Sequence, residues 1–273
     1  HPGTPPTTNR LMNPLHGIED RPILVIYIRW DDLDYPAGFD AAWVANRFFG
    51  ERDPGTGLPS PTFPSVADYF RRLSFNALVL SPAPESEGTP GDGVVQVTVH
   101  ATRAHFFNLA VEARNKLVLE LADPYVDFSS FDSDGDGSLS RLELIVNLFE
   151  VEDPATPLFS GQGLNAGVQA VTLDGVNLRD RTVVMTNHAT NLITIIHENG
   201  HAAIDLQDLY GFDVGNFDLG AATACARGGN CYPDVMLFAP NAWHKLHWGW
   251  ISPTVVTRDG YYEVHRADTT GDG

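Results

Sequence analysis

The chain is expected to fold as an α/β (α+β) domain, in which strands and helices alternate around a sheet up to about residue 204. A less regular region is expected after it. Three observations predict this. Pro22-Ile23-Leu24-Val25-Ile26-Tyr27-Ile28 and Thr182-Val183-Val184-Met185-Thr186 are apolar runs of strand length. Residues 105–121 carry an amphipathic helical pattern, and Asn191-Leu192-Ile193-Thr194-Ile195-Ile196 reads as the start of a buried helix. With 273 residues and 29.8 kDa, the chain can bury a substantial core as one large domain or two subdomains.

The segments follow in order. Residues 1–20, rich in Pro, Thr and Asn, are expected to be a linker or the remnant of a prosegment. Residues 21–204 form the expected upper subdomain, 205–266 the lower one, and 267–273 the start of a truncated C-terminal region with further domains beyond. Ser65 and Asp68 have the spacing of a capping box at the start of a helix through Ser74. Residues 51–64 and 82–93 are Gly/Pro-rich loops. Thr190 is placed to cap the buried helix.

That helix carries the chemistry. His197-Glu198-Asn199-Gly200-His201 sets two imidazoles one turn apart with a carboxylate between them. Four residues advance a helix by about 6 Å and about 40° net, so both rings can reach one metal from one face. Glu198 then stands beside the attacking water as a general base. A catalytic zinc takes a third protein ligand. After Glu198 the only glutamate is Glu263, in a strand-like stretch, so a glutamate third ligand is disfavoured. On an unbroken helix Asp205 would lie about 12 Å along the axis from His197, too far for a short side chain. Asp208 comes within reach if the helix ends near Asp205, which tolerates a left-handed terminal residue. Asp208 is therefore the expected third ligand, with Asp205 the alternative.

The chain resembles the immune inhibitor A family of secreted metallopeptidases, relatives of the metzincins. Their pattern is HExxH, two residues, Gly, two residues, Asp, and then Leu-Tyr or similar. Here Ile204 stands at the glycine and Gln207 at the aspartate, a departure that a one-residue insertion reconciles by bringing Asp205 and Asp208 into place. The resemblance covers most of residues 21–252. It includes the first strand with Asp31-Asp32, Phe48-Phe49-Gly50, the helix from Ser65, and the Trp-rich segment 241–251 that ends in Gly249-Trp250-Ile251. It implies a metzincin-like zincin domain with a twisted sheet, an active-site helix and a lower subdomain, and a methionine turn at Asp234-Val235-Met236.

Asp132-Ser133-Asp134-Gly135-Asp136-Gly137-Ser138-Leu139-Ser140-Arg141-Leu142-Glu143 fits the twelve-residue calcium loop. Asp132, Asp134 and Asp136 supply oxygens, Gly137 permits the sharp turn, Ser138 offers its carbonyl, and Glu143 closes the shell. Ser140 acts directly or through water. The apolar run that follows suits a strand better than an EF-hand helix, so a structural Ca2+ is expected. The family carries a similar acidic loop.

Net charge -18 and a pI near 4.7 argue against nucleic acid, whose phosphates would be repelled. No apolar run reaches the length of a membrane span. Cys225 and Cys231 bracket a Gly-rich turn, a spacing that suits a disulfide, with free thiols or metal ligands as alternatives. His244 and His247 are assigned to packing against Trp243, Trp248 and Trp250, His188 to a cap or core position, and Tyr210 to a hydrophobic anchor. The expectation is a secreted, monomeric Zn2+ endopeptidase, stabilised by calcium and acting on proteins or peptides. The competing expectation, motivated by the displaced Asp208, is a latent or non-catalytic member of the same fold serving as a calcium-stabilised binding module.

Overall fold

The computed structural model describes residues 19–50, 65–151, 171–178, 183–187, 192–204 and 250. These form a mixed α/β arrangement built on a five-stranded sheet. β1 (Glu19–Trp30) is its centre. Six consecutive residues, Ile23 through Ile28, are fully buried, which explains why the run is apolar without alternation. The strand begins at Glu19, inside the segment expected to be linker.

One edge of β1 is shared end to end by two strands. β2 (Leu78–Pro82) pairs with its first half, from Glu19↔Leu78 to Ile23↔Pro82. β3 (Val94–Val99) takes the second half, from Val25↔Val94 to Trp30↔Val99. The other edge pairs with β5 (Ile145–Glu150), which pairs in turn with β8 (Val183–Asn187). All four pairings are parallel, so connections between side-by-side strands have to cross a face of the sheet, while β2 leads into β3 along the same edge.

Among the described residues, the connections from β1 to β2 and from β3 to β5 carry short helices with clear local causes. α1 (Ala41–Phe49) starts at Asp40, whose carboxylate accepts from Trp43 N. In α2 (Val66–Leu73) the Ser65 hydroxyl accepts from Asp68 N at 3.1 Å, half of the expected capping box. The other half is absent from Asp68, whose carboxylate is ion-paired with Arg71 and Arg72 on the same helix. The continuous helix expected over residues 105–121 is two helices. α3 (Arg103–Phe107) is capped by Thr102 and ends at Asn108; α4 (Val111–Ala122) begins afresh after Ala110. The Asn108 N–H closes α3 by bonding back to Ala104 and His105, and Ala110 then turns extended, so the amphipathic pattern continues across a break that its period does not reveal.

A second, three-stranded sheet joins β4 (Ser138–Leu139), β6 (Thr172–Leu173) and β7 (Val176–Leu178). β6 and β7 form a hairpin around Asp174 and Gly175, both at positive φ as a two-residue turn requires. Its pairing with β4 holds the acidic loop 132–143 from one side.

Strand alternation sorts the faces of the main sheet. Tyr27 and Phe149 pack with Trp43 and Phe48 around α1, while Trp30 meets Phe106 of α3 on the opposite face. Glu150 and Arg103 form an ion pair on that opposite face at 3.3 Å, with both side chains 6% exposed. No helix among the described residues is long and apolar enough to cross a membrane.

Candidate metal centre on the last helix

α5 (Leu192–Ile204) runs on the same face as α1 and α2, directly after the edge strand β8. Ile195, Ile196, Ala202 and Ala203 are buried, as the apolar stripe predicts, and Glu198 is only 7% exposed. His197 and His201 are half-buried. Their rings stand edge to face with centroids 4.8 Å apart, and their Nε2 atoms lie 3.2 Å from each other. One ligand atom from each of His197, Glu198 and His201 falls within a 4.8 Å cluster.

This donor set fits a zinc ion. Zn–N bonds of about 2.0–2.1 Å at a tetrahedral angle put two nitrogens about 3.3 Å apart, and the observed separation is 3.2 Å. Two neutral imidazoles presenting lone pairs so close together repel unless a proton or a cation lies between them.

Two features that sequence reasoning did not assign hold the helix against the sheet. Asn147, in the middle of β5, and Asn199, inside the motif, are both fully buried and exchange two hydrogen bonds of 2.9 and 3.0 Å. Asn199 Nδ2 also donates to Ile195 O at 2.8 Å. Further along, the Arg21 guanidinium donates to the Ala203 carbonyl and pairs with Glu19 at 2.8 Å. Burial pushes the Arg21 pKa down, and Glu19 partly restores it. Asn147 had a signal available: it is the one polar residue in the run Ile145-Val146-Asn147-Leu148-Phe149.

No family model matches the chain, and no curated protein matches it.

The acidic loop is the second cluster. Oxygens of Asp132, Asp134 and Asp136 lie within 4.8 Å of one another, a span that suits ligands 2.3–2.6 Å from one calcium ion. Backbone amides shape the loop: Asp136 N donates to Asp132 Oδ1 and Asp134 Oδ1, both at 3.1 Å, and Gly137 N to Asp132 Oδ2 at 3.0 Å. Gly137 has φ 78°, the left-handed conformation that the turn needs. Glu143 folds back onto the loop, where its Oε1 lies 3.4 Å from Asp134 N. Its Oε1 accepts from Ser133 N, at 3.1 Å, and its Oε2 from Ser140 N and Oγ, at 2.9 and 2.8 Å. Burial works to raise the Glu143 pKa, but these hydrogen bonds outweigh it and hold the carboxyl below its usual range. The chain then enters β5, a strand as expected after a structural loop.

Ser138 N donates to Asp136 Oδ1 at 2.9 Å, at the start of β4. Trp250 is buried. Asp205, Asp208, Tyr210, Cys225, Cys231, Met236, His188, His244 and His247, together with the expected cap Thr190 and the regions 205–249 and 251–273, lie outside the described residues.

Proposed function

We propose that the chain is a secreted zinc endopeptidase resembling the immune inhibitor A family, with a metzincin-like catalytic domain. The observation that carries this reading is the 3.2 Å approach of the two imidazole Nε2 atoms on one helix, with the buried Glu198 carboxylate beside them. His197 and His201 would hold the ion, with Asp208 (or Asp205) expected as the third ligand. Bound zinc would supply Lewis acidity and lower the pKa of a coordinated water to about 7.

The chain's own part is proton handling and orientation. Glu198, held at 7% exposure, takes the proton of the water that attacks the peptide carbonyl and passes it to the leaving amine. Its seclusion from bulk water strengthens that interaction. Asp132, Asp134 and Asp136, with the Ser138 carbonyl and Ser140, would hold a structural calcium ion. Glu143 would complete that shell by exchanging its contacts to Ser133 and Ser140 for the ion.

The deciding experiment is hydrolysis of quenched fluorescent casein by the purified chain and by Glu198→Ala, with zinc content measured on both. The expected result is zinc in both proteins and a loss of rate of at least about a hundredfold in the variant. Zinc-loaded wild-type protein without cleavage, or cleavage surviving in Glu198→Ala, would overturn the assignment.

A further inference from the structure

We infer that the Asn147–Asn199 amide pair is a positioning device that fixes the rotation of α5, and with it the aim of His197, Glu198 and His201. The inference rests on the reading of α5 as a zinc-binding helix.

Both side chains are 0% exposed, and they exchange reciprocal hydrogen bonds of 2.9 and 3.0 Å. Each amide uses its oxygen and one N–H on the other, a planar two-bond contact that defines distance and angle together. The second use of Asn199 Nδ2, on Ile195 O at 2.8 Å, ties the amide to its own helix one turn back. Asn199 follows Glu198 directly and lies midway between the two histidines. Its partner sits on β5, which is clamped between β1 and β8.

An apolar contact could fill the same space, but packing is non-directional and defines the rotation of the helix less sharply than two fixed hydrogen bonds do. A roll of about 20° moves a side-chain tip some 6–7 Å from the helix axis by about 2 Å. That displacement is as long as a Zn–N bond. Arg21 tethers the far end of the helix, at Ala203. Burying two amides adds little net stability, so their value lies in specifying one arrangement.

The test separates positioning from stability. Zinc affinity is measured by competition with a chromophoric chelator, the urea midpoint on metal-free protein, and kcat and KM on quenched casein. The proteins are the wild type, Asn199→Leu and the double variant Asn147→Leu/Asn199→Leu. The single variant strands one buried amide, so its midpoint and its zinc affinity both fall. The double variant strands none, so its midpoint returns close to wild type. Its zinc Kd is nevertheless expected to stay about tenfold or more above wild type, with kcat down by a similar factor and KM within about twofold.

A double variant whose zinc Kd and kcat recover along with its midpoint overturns the inference and leaves the zinc reading standing. Wild-type protein that binds no zinc, or binds it equally well as His197→Ala, overturns the zinc reading and the inference with it. Should the double variant not fold, Asn147→Thr, which suits a strand, carries the test. A fall in its kcat at constant KM supports positioning, and wild-type kcat and zinc Kd overturn it.

Discussion

Arg21, near the start of the first strand, donates to the carbonyl of Ala203, near the end of α5 and 182 residues away in sequence. The last carbonyls of a helix have no partner within it, and a cation at that end also meets the negative pole of the helix dipole. Arg21 is 3% exposed, so its charge is committed to this contact and to Glu19. Arg21→Met is expected to cost about 1.5–3 kcal/mol in urea unfolding, the range for a hydrogen bond to a charged group. A variant within 0.5 kcal/mol of wild type, as a rough threshold, would show that the tether contributes little.

Added calcium should stabilise the chain through the acidic loop. A ligand that binds only the folded state at a hundredfold excess over its Kd contributes about 2.7 kcal/mol. Urea midpoints are expected to rise with calcium in the wild type and not in Asp132→Ala or Asp134→Ala. If magnesium or sodium at equal ionic strength raised the midpoint as much, the effect would be screening of the -18 charge and not a site.

Among the described residues, three acidic groups are pushed above their ordinary pKa values by burial: Glu85, Asp92 and Asp123. For Glu85 the amides of Glu87, Gly91 and Asp92 pull the other way without prevailing. A carboxyl whose folded pKa is raised binds its proton more tightly when folded. Its stabilising contribution is complete below the unfolded pKa and is lost as pH rises through the folded one. Glu85→Gln removes this titration. The difference in urea midpoint, variant minus wild type, should therefore grow in favour of the variant between pH 4 and pH 7, measured with chelator present. A difference that stays constant with pH would refute the assignment.

Gly93 enters β3 at φ 80° and packs against Phe49 and Pro82. A Cβ there would lie 2.8 Å from Pro82 Cβ and 2.9 Å from Phe49 Cε2. Both the left-handed backbone and the crowding oppose any side chain. Gly93→Ala is expected to lower stability by about 2–4 kcal/mol. Thermal melts would show it, and an unchanged Tm would mean that the segment relaxes freely.

What could be read from sequence was local. The histidine pair and Glu198 lie within five positions of one helix, and helical geometry alone brings them together. The same holds for the Ser65 cap, the turn at Gly137 and the run that becomes β1. What could not be read depends on pairing across the fold. Asn199 carries no signal within the motif, because its partner Asn147 lies 52 residues earlier, on a strand. The break between α3 and α4 was hidden because apolar spacing persists through Asn108, while the backbone does not. The partners of Glu143 were not legible either: its oxygens accept from Ser133, Asp134 and Ser140 through backbone amides that only the folded turn brings to it.

The sharing of one β1 edge by β2 and β3, with β5 and β8 completing the other side, has a consequence in time. Every ladder of this sheet is parallel and joins segments far apart in the chain, so loop-closure entropy opposes each pairing before any contact offsets it. The surface on which α5 docks includes β5, which pairs with the first strand, and β8, which is synthesised just ahead of the helix. Every strand of that surface precedes α5 in the chain, so the frame leaves the ribosome before His197, Glu198 and His201 do, and the helix meets a surface already synthesised.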